Sequence, residues 1–89
     1  MQTVLVNLPT VETAHAFVVR LSSLDGQFDL LSEGYVIDAK SLMGIFSLDR
    51  TKPLKLRVEK DTASTMLALK DFIAEKSPER NISRTALEV

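Results

Sequence analysis

Between positions 53 and 60 apolar and charged residues alternate strictly, and this pattern constrains the chain more than any other. Successive side chains of a β-strand point to opposite faces of the sheet, so alternate residues share a face. The apolar set is Leu54, Leu56 and Val58, and the charged set is Lys55, Arg57 and Glu59. A strand over Pro53–Lys60 therefore has one dry face and one wet face. Because only one side of its sheet is dry, we expect the helices to pack on that side alone.

Three further strands are predicted from short apolar or β-branched segments. They cover Gln2–Asn7, Gln27–Ser32 and Tyr35–Ala39. The last two are separated by Glu33-Gly34, where the glycine can adopt a positive φ, and this spacing predicts a β-hairpin.

Three helices are predicted from capping residues and apolar spacing. Thr10 and Ser41 can each accept a hydrogen bond from the free amides of a first helical turn, and Asp61 can do the same for the last helix. In the first helix, ended by Asp25-Gly26, the apolar face comprises Ala14, Phe17, Val18, Leu21 and Leu24. The last helix is expected to run to about Lys76, and its inward residues are Met66, Leu69 and Ile73, with Ala63 and Phe72 beside them.

The resulting order, β-α-β-β-α-β-α, predicts an α+β fold. We expect an open-faced β-sandwich in which a four-stranded antiparallel sheet carries three helices on one face. Eighty-nine residues allow one domain with one core, which we assign to residues 1–76. Residues 77–89 are interpreted as a C-terminal tail, either disordered or a short helix.

Composition excludes several classes of function. The chain has no cysteine and one histidine, His15, so disulfides, thiolate chemistry and a zinc site are not expected. A net charge of −1 with alternating signs offers no basic face for nucleic acid. No apolar run suits a signal peptide or a membrane span, and no glycine-rich nucleotide loop is present. We expect a cytoplasmic protein that is not an enzyme and holds no metal or cofactor.

The segment from Ala39 to Leu48, AKSLMGIFSL, combines a capping serine with five large apolar residues. A helix of two turns has too few inward positions to bury all five, so some should remain at the surface. Exposed apolar side chains of this kind indicate a surface for a protein partner. The alternative interpretation is that all five complete the core.

The same segment resembles the regulatory site of HPr, the small phosphocarrier of the bacterial sugar phosphotransferase system. Element order, the run Ala16-Phe17-Val18 and its ungapped spacing to Ser41 extend the resemblance over residues 1–76. The resemblance implies the HPr-like open-faced fold. It also places the family's G-L-H-x-R-P motif on Leu8 to Thr13, with Thr10 at the position of the phosphate-carrying histidine and Glu12 at that of the arginine.

Neither residue of that carrier pair is kept, so we expect no phosphate relay. A threonine phosphoester is far more inert than a phosphoramidate, and Glu12 puts an anion where a cation should neutralise phosphate. Ser41 matches the serine that an ATP-dependent HPr kinase/phosphorylase modifies in the family. A dianion there would gain about 0.3–2 kcal/mol from a helix N-terminus. The residues that match the family's partner-binding patch are Lys40, Leu42, Met43 and Phe46.

The resemblance therefore implies a regulatory or binding module in carbohydrate uptake or carbon catabolite control. The Crh branch of the family likewise lacks the histidine and keeps the serine. It differs from this chain in that it retains the arginine. The expected partner is a protein, either an HPr kinase/phosphorylase or a transcriptional regulator. Two alternatives stay open: a phosphocarrier with a non-standard acceptor, Thr10 or His15, and a constitutive interaction module, monomeric or weakly dimeric.

Overall fold

The structure is a computed structural model and describes residues 1–74. Within that range the chain forms four strands and three helices in the predicted order. The strands are β1 (Gln2–Val6), β2 (Phe28–Ser32), β3 (Tyr35–Asp38) and β4 (Leu54–Val58). The helices are α1 (Val11–Ser22), α2 (Leu42–Phe46) and α3 (Ala63–Leu69). The predicted domain boundary at Lys76 and the tail 77–89 lie outside the described residues.

The four strands form one antiparallel sheet in the order β1-β4-β2-β3. The predicted alternation of β4 is confirmed, because its three apolar residues are buried while Lys55 is exposed and Arg57 is half-buried. One row of the dry face runs through Val4, Leu56, Leu30 and Ile37, so each strand contributes one residue.

All three helices contribute to the single core that covers this dry face. Phe17 of α1, Ile45 of α2 and Leu69 of α3 are fully buried in one cluster with the inward residues of the sheet. The rings of Phe17 and Phe72 meet edge to face with centroids 5.3 Å apart, a favoured geometry for buried aromatics. The described chain is therefore an α+β fold with an open antiparallel sheet, as predicted.

The predicted start of α1 and the predicted hairpin are both confirmed. The Thr10 hydroxyl accepts a hydrogen bond from the Thr13 amide at 3.0 Å, so Thr10 is the N-cap. In the hairpin, Glu33 and Gly34 both have positive φ, 49° and 89°. Positive φ at both central residues is the geometry whose twist matches a two-residue hairpin. Local sequence signals sufficed for both features.

The prediction for the last helix was wrong at both ends. Thr62, not Asp61, is the N-cap of α3, and the helix ends at Leu69 instead of about Lys76. Beyond it, the Phe72 carbonyl accepts from the Asn7 amide at 2.8 Å, and Ile73 forms an antiparallel bridge with β1. The free edge of β1 satisfies the backbone groups that a longer helix would have satisfied internally. Tertiary pairing has overridden the helical spacing.

Gly44 lets α2 approach β3 closely. A Cβ built on Gly44 would lie 2.6 Å from the Cγ2 of Ile37, well inside ordinary van der Waals contact. That methyl is attached directly to the Ile37 Cβ, so it cannot swing away as the end of a long side chain could. Glycine at this position thus sets the depth at which α2 packs.

Gly44→Ala is expected to lower the free energy of unfolding by about 1–3 kcal/mol, because overpacking outweighs the gain in helix propensity. Ile37→Leu removes the Cγ2 methyl, so the double variant should recover part of the loss. Urea unfolding of the four proteins of this cycle measures the coupling. Equal losses with isoleucine and with leucine at position 37 would refute the proposed clash.

The outer face of the sheet holds a partly buried ion pair. Asp29 and Arg57 are cross-strand partners, and the Arg57 Nη2 donates to the Asp29 Oδ2 at 2.9 Å. This hydrogen bond lowers the pKa of Asp29 below its ordinary value, against the opposing effect of burial, and a hydrogen bond from the Gln27 amide contributes further. The pair joins β2 to β4 on the side that carries no helix.

A lowered pKa in the folded state means that ionised Asp29 stabilises the fold. This stability is present above the unfolded pKa, about 3.9, and is lost as pH falls through the lower folded value. We expect Arg57→Leu to reduce the free energy of unfolding at pH 7 more than at pH 2.5. Denaturant titrations across that range measure the difference. Lys55→Leu, on the same strand and face, is the matched control and should show a smaller pH-dependent loss.

Candidate functional site

The segment singled out from the sequence forms a short helix with a partly exposed apolar surface. Ser41 is its N-cap, as predicted, and its hydroxyl accepts from the Gly44 amide at 3.2 Å. Ile45 is buried, while Met43 has 78% of its surface exposed. Leu42 and Phe46 are half-buried against the core. The expectation that some of these apolar residues remain at the surface is confirmed; we call Leu42, Met43 and Phe46 the α2 patch.

Lys40, the fourth residue assigned to the partner surface, is directed toward the end of α1. Its ammonium donates to the Leu24 carbonyl at 3.2 Å and lies 5.6 Å from the centroid of the Phe28 ring. Its backbone amide is held by the Asp38 carboxylate. The side chain is still exposed at the surface, but its charge is already engaged in positioning the start of α2.

Thr10 and Glu12, the two positions that the resemblance assigned to the carrier pair, lie at the start of α1. Both are exposed. The Thr10 hydroxyl is shared between the Thr13 amide and the Thr13 hydroxyl, the latter at 2.8 Å. Glu12 stands in the first turn of α1, where a carboxylate interacts favourably with the helix dipole. The geometry is that of a well-capped helix start with an acidic first turn.

Arg50 approaches this helix start, a contact that no local signal in the sequence indicates. The Arg50 Nη1 donates to the Leu8 carbonyl at 3.2 Å and to the Pro9 carbonyl at 3.4 Å. The same guanidinium lies 5.3 Å from the centroid of the Phe46 ring, within the range of a cation–π interaction. One side chain therefore joins the α2 patch to the loop before α1.

The guanidinium of Arg50 contacts the loop before α1 through Nη1. Its hydrogen bonds go to two backbone carbonyls, and its Nε is buried without a hydrogen-bond partner within the described residues. Arg50 therefore acts as a brace between the loop before α1 and α2.

Lys40 and Arg50 contact the chain at opposite ends of α1. Lys40, next to Ser41, contacts the carbonyl of Leu24 just beyond the helix, whereas Arg50 contacts the chain just before it. A helix of twelve residues is about 18 Å long. His15 is exposed on the second turn of α1.

Residues 1–74 contain no group of three or more His, Asp or Glu side chains that could hold a metal ion. None of the helices α1 to α3 is long and apolar enough to cross a membrane. Comparisons with protein-family models, with curated proteins and with solved structures found no match.

Arg50→Met is expected to cost about 1–2 kcal/mol of unfolding free energy, because two hydrogen bonds and the cation–π contact are lost. The loss should be local as well as global, with faster amide exchange at Thr13 and Ala14. Hydrogen exchange followed by NMR measures it residue by residue. Lys52→Met, a neighbouring exposed cation, serves as the control, and equal exchange rates in the two variants would contradict the brace.

Proposed function

We propose that this chain is an HPr-like protein that does not carry phosphate and instead acts as a regulatory binding module, in carbohydrate uptake or carbon catabolite control. Three features support this proposal: the sequence resemblance around Ser41, the element order, and an open antiparallel sheet with three helices. The observation that carries it is the exposed α2 patch directly beside an accessible serine hydroxyl at position 41.

The α2 patch supports binding of a protein partner. Met43 is the most exposed large apolar residue of the described chain, and Leu42 and Phe46 flank it with half-buried side chains. A methionine is flexible and polarisable, so it adapts to differently shaped partner surfaces. Ile45 already fills the core position of α2. The exposed side chain of Met43 therefore contributes no more to folding than a polar side chain would.

Phosphorylation of Ser41 would switch this surface through local charge. Ser41 is exposed, and it lies two residues from Met43. A phosphate adds a charge of about −1.5 to −2 at neutral pH, which would place an anion at the margin of an apolar contact. Because α2 has only five residues, we expect its dipole to contribute little, and the main effect to be on the partner.

Loss of carrier activity follows from the chemistry at the start of α1. A carrier needs a phosphoramidate, which imidazole forms and the hydroxyl of Thr10 does not. Glu12, in the first turn of α1, would repel the transferred group. These features favour a binding role over relay.

A purified HPr kinase/phosphorylase with ATP tests the proposal directly. We expect one phosphate per chain, detected by intact mass, and none on Ser41→Ala. Ser47→Ala is the matched control, because Ser47 is an exposed serine at the other end of the same helix whose hydroxyl donates to the Gly44 carbonyl. The control should be modified like the unaltered chain. A chain untouched by a kinase that modifies an ordinary HPr would refute the switch.

Two further measurements separate the alternatives. Incubation with phosphoenolpyruvate and enzyme I should leave the mass unchanged, and an acid-labile adduct on Thr10 or His15 would establish a carrier instead. Light scattering over a dilution series should show a monomer at low micromolar concentration. A dimer that Met43→Asp dissociates would favour a self-association module built on the α2 patch.

A further inference from the structure

One edge of the sheet is open in the described part of the chain. The order β1-β4-β2-β3 puts β1 and β3 at the two edges. Ile73 bridges to Val6 on the side of β1 away from β4, whereas among residues 1–74 no strand pairs with the outer side of β3. Sheets often protect such an edge with lysine, proline or a bulge. The β3 sequence, YVID, has neither lysine nor proline, and its register with β2 has no bulge.

The backbone groups of Val36 point out of this edge. In an antiparallel pair, residues whose N–H and C=O face the partner strand alternate with residues whose groups face away. The Ala39 amide donates to the Phe28 carbonyl at 2.9 Å, so Ala39 faces β2, while Val36 and Asp38 face away from it. In agreement, the Asp38 carbonyl accepts from the Ser41 amide at 2.9 Å. Within the described range, Val36 therefore keeps both its N–H and its C=O for a further strand.

The side chains of this edge are apolar and exposed. Tyr35 has 68% of its surface exposed, and Val36 has 61%. Val36 also ends a row on the helix-free face of the sheet that starts at Leu5 and passes through Lys55 and Leu31. Neighbouring exposed apolar residues indicate a surface that a partner covers. A strand added beside β3 would cover both Tyr35 and Val36.

The charge of β3 selects one register for pairing with a second copy of itself. A two-fold axis through Asp38 would set two carboxylates directly opposite each other, which is destabilising. An axis through Ile37 would need the Asp38 carbonyl, which is already engaged. An axis through Val36 sets Asp38 opposite Gly34, so no like charges face each other. It also sets Tyr35 opposite Ile37, and an aromatic residue opposite a β-branched one is a favourable cross-strand pair.

We propose that β3 pairs antiparallel with β3 of a second copy, about a two-fold axis through Val36. The N–H and C=O of each Val36 bond to the Val36 of the other copy, and the two four-stranded sheets become one. A strand of four residues buries far less than the roughly 800 Å² per partner of a stable complex. The dimer is therefore weak: it forms at high micromolar concentration, and the chain is monomeric at low micromolar concentration. This inference does not rest on the regulatory function proposed above.

Opposite charges at position 36 test both the dimer and its register. Val36→Lys and Val36→Glu each set like charges opposite each other in a homodimer, but opposite charges in a mixed dimer. NMR spectra recorded from about 20 µM to about 1 mM protein cover the expected range of a weak complex. In the unaltered chain we expect the amide signals of Val36 and Asp38 to shift with concentration. The rotational correlation time should rise towards about twice its dilute value, as for a two-fold dimer.

Neither variant alone should show this concentration dependence, and an equimolar mixture of the two at low salt should regain it. Val36 is exposed, so both variants are expected to fold, and their dilute spectra check this. Val19→Lys is the matched control, because Val19 is an exposed valine on α1, 55% exposed. It should associate like the unaltered chain.

Three results would overturn the proposal. The first is a spectrum of the unaltered chain that does not change over the whole concentration range. The second is a concentration dependence that persists in both single variants, or that affects the α2 patch instead of β3, since either would put the contact elsewhere. The third is a mixture that associates no more than its two components, which would exclude an axis through Val36.

Discussion

The fold depends on β4 being hydrogen-bonded on both sides and buried on only one face. It pairs with β1 and with β2, so the two halves of the sheet are joined only through this strand. Its inward residues, Leu54, Leu56 and Val58, form the centre of the core, and all three helices pack over them. The opposite face keeps Lys55 and Arg57 at the surface. Every helix of residues 1–74 consequently lies on one side of the sheet, and within that range the other face carries no helix.

Within this arrangement, α2 is held at both ends by cations from outside the helix. Lys40 fixes its start to the carbonyl after α1, and Arg50 joins its last residue, Phe46, to the carbonyls before α1. Gly44 sets the distance to β3 in between. The α2 patch is therefore presented on a braced helix, which limits the conformational entropy that a partner would have to remove on binding.

Local signals in the sequence predicted which helices and strands form. Features that depend on contacts between distant parts of the chain could not be predicted in this way. Thr10, Ser41 and Glu33-Gly34 act through neighbouring residues, so their roles could be predicted from the chain alone. The end of α3 and the role of Arg50 depend on partners far away in sequence, Val6 and Leu8. Helical spacing continued past Leu69, but the open edge of β1 competed for the same backbone groups. The outcome of that competition cannot be predicted from a single sequence, because it depends on where β1 lies in the folded chain.

The pairing of β1 has a consequence for how the protein is made. β1 is synthesised before the other described strands, yet its two neighbours, β4 and the bridge at Ile73, come from the last third of the described chain. During synthesis one edge of β1 stays unpaired until residues near position 58 have emerged, and the other edge until Ile73 has emerged. Sheets closed by such distant pairings form slowly and expose strand edges meanwhile. The early chain thus relies on the short length of β1, five residues, to avoid pairing with the wrong neighbour.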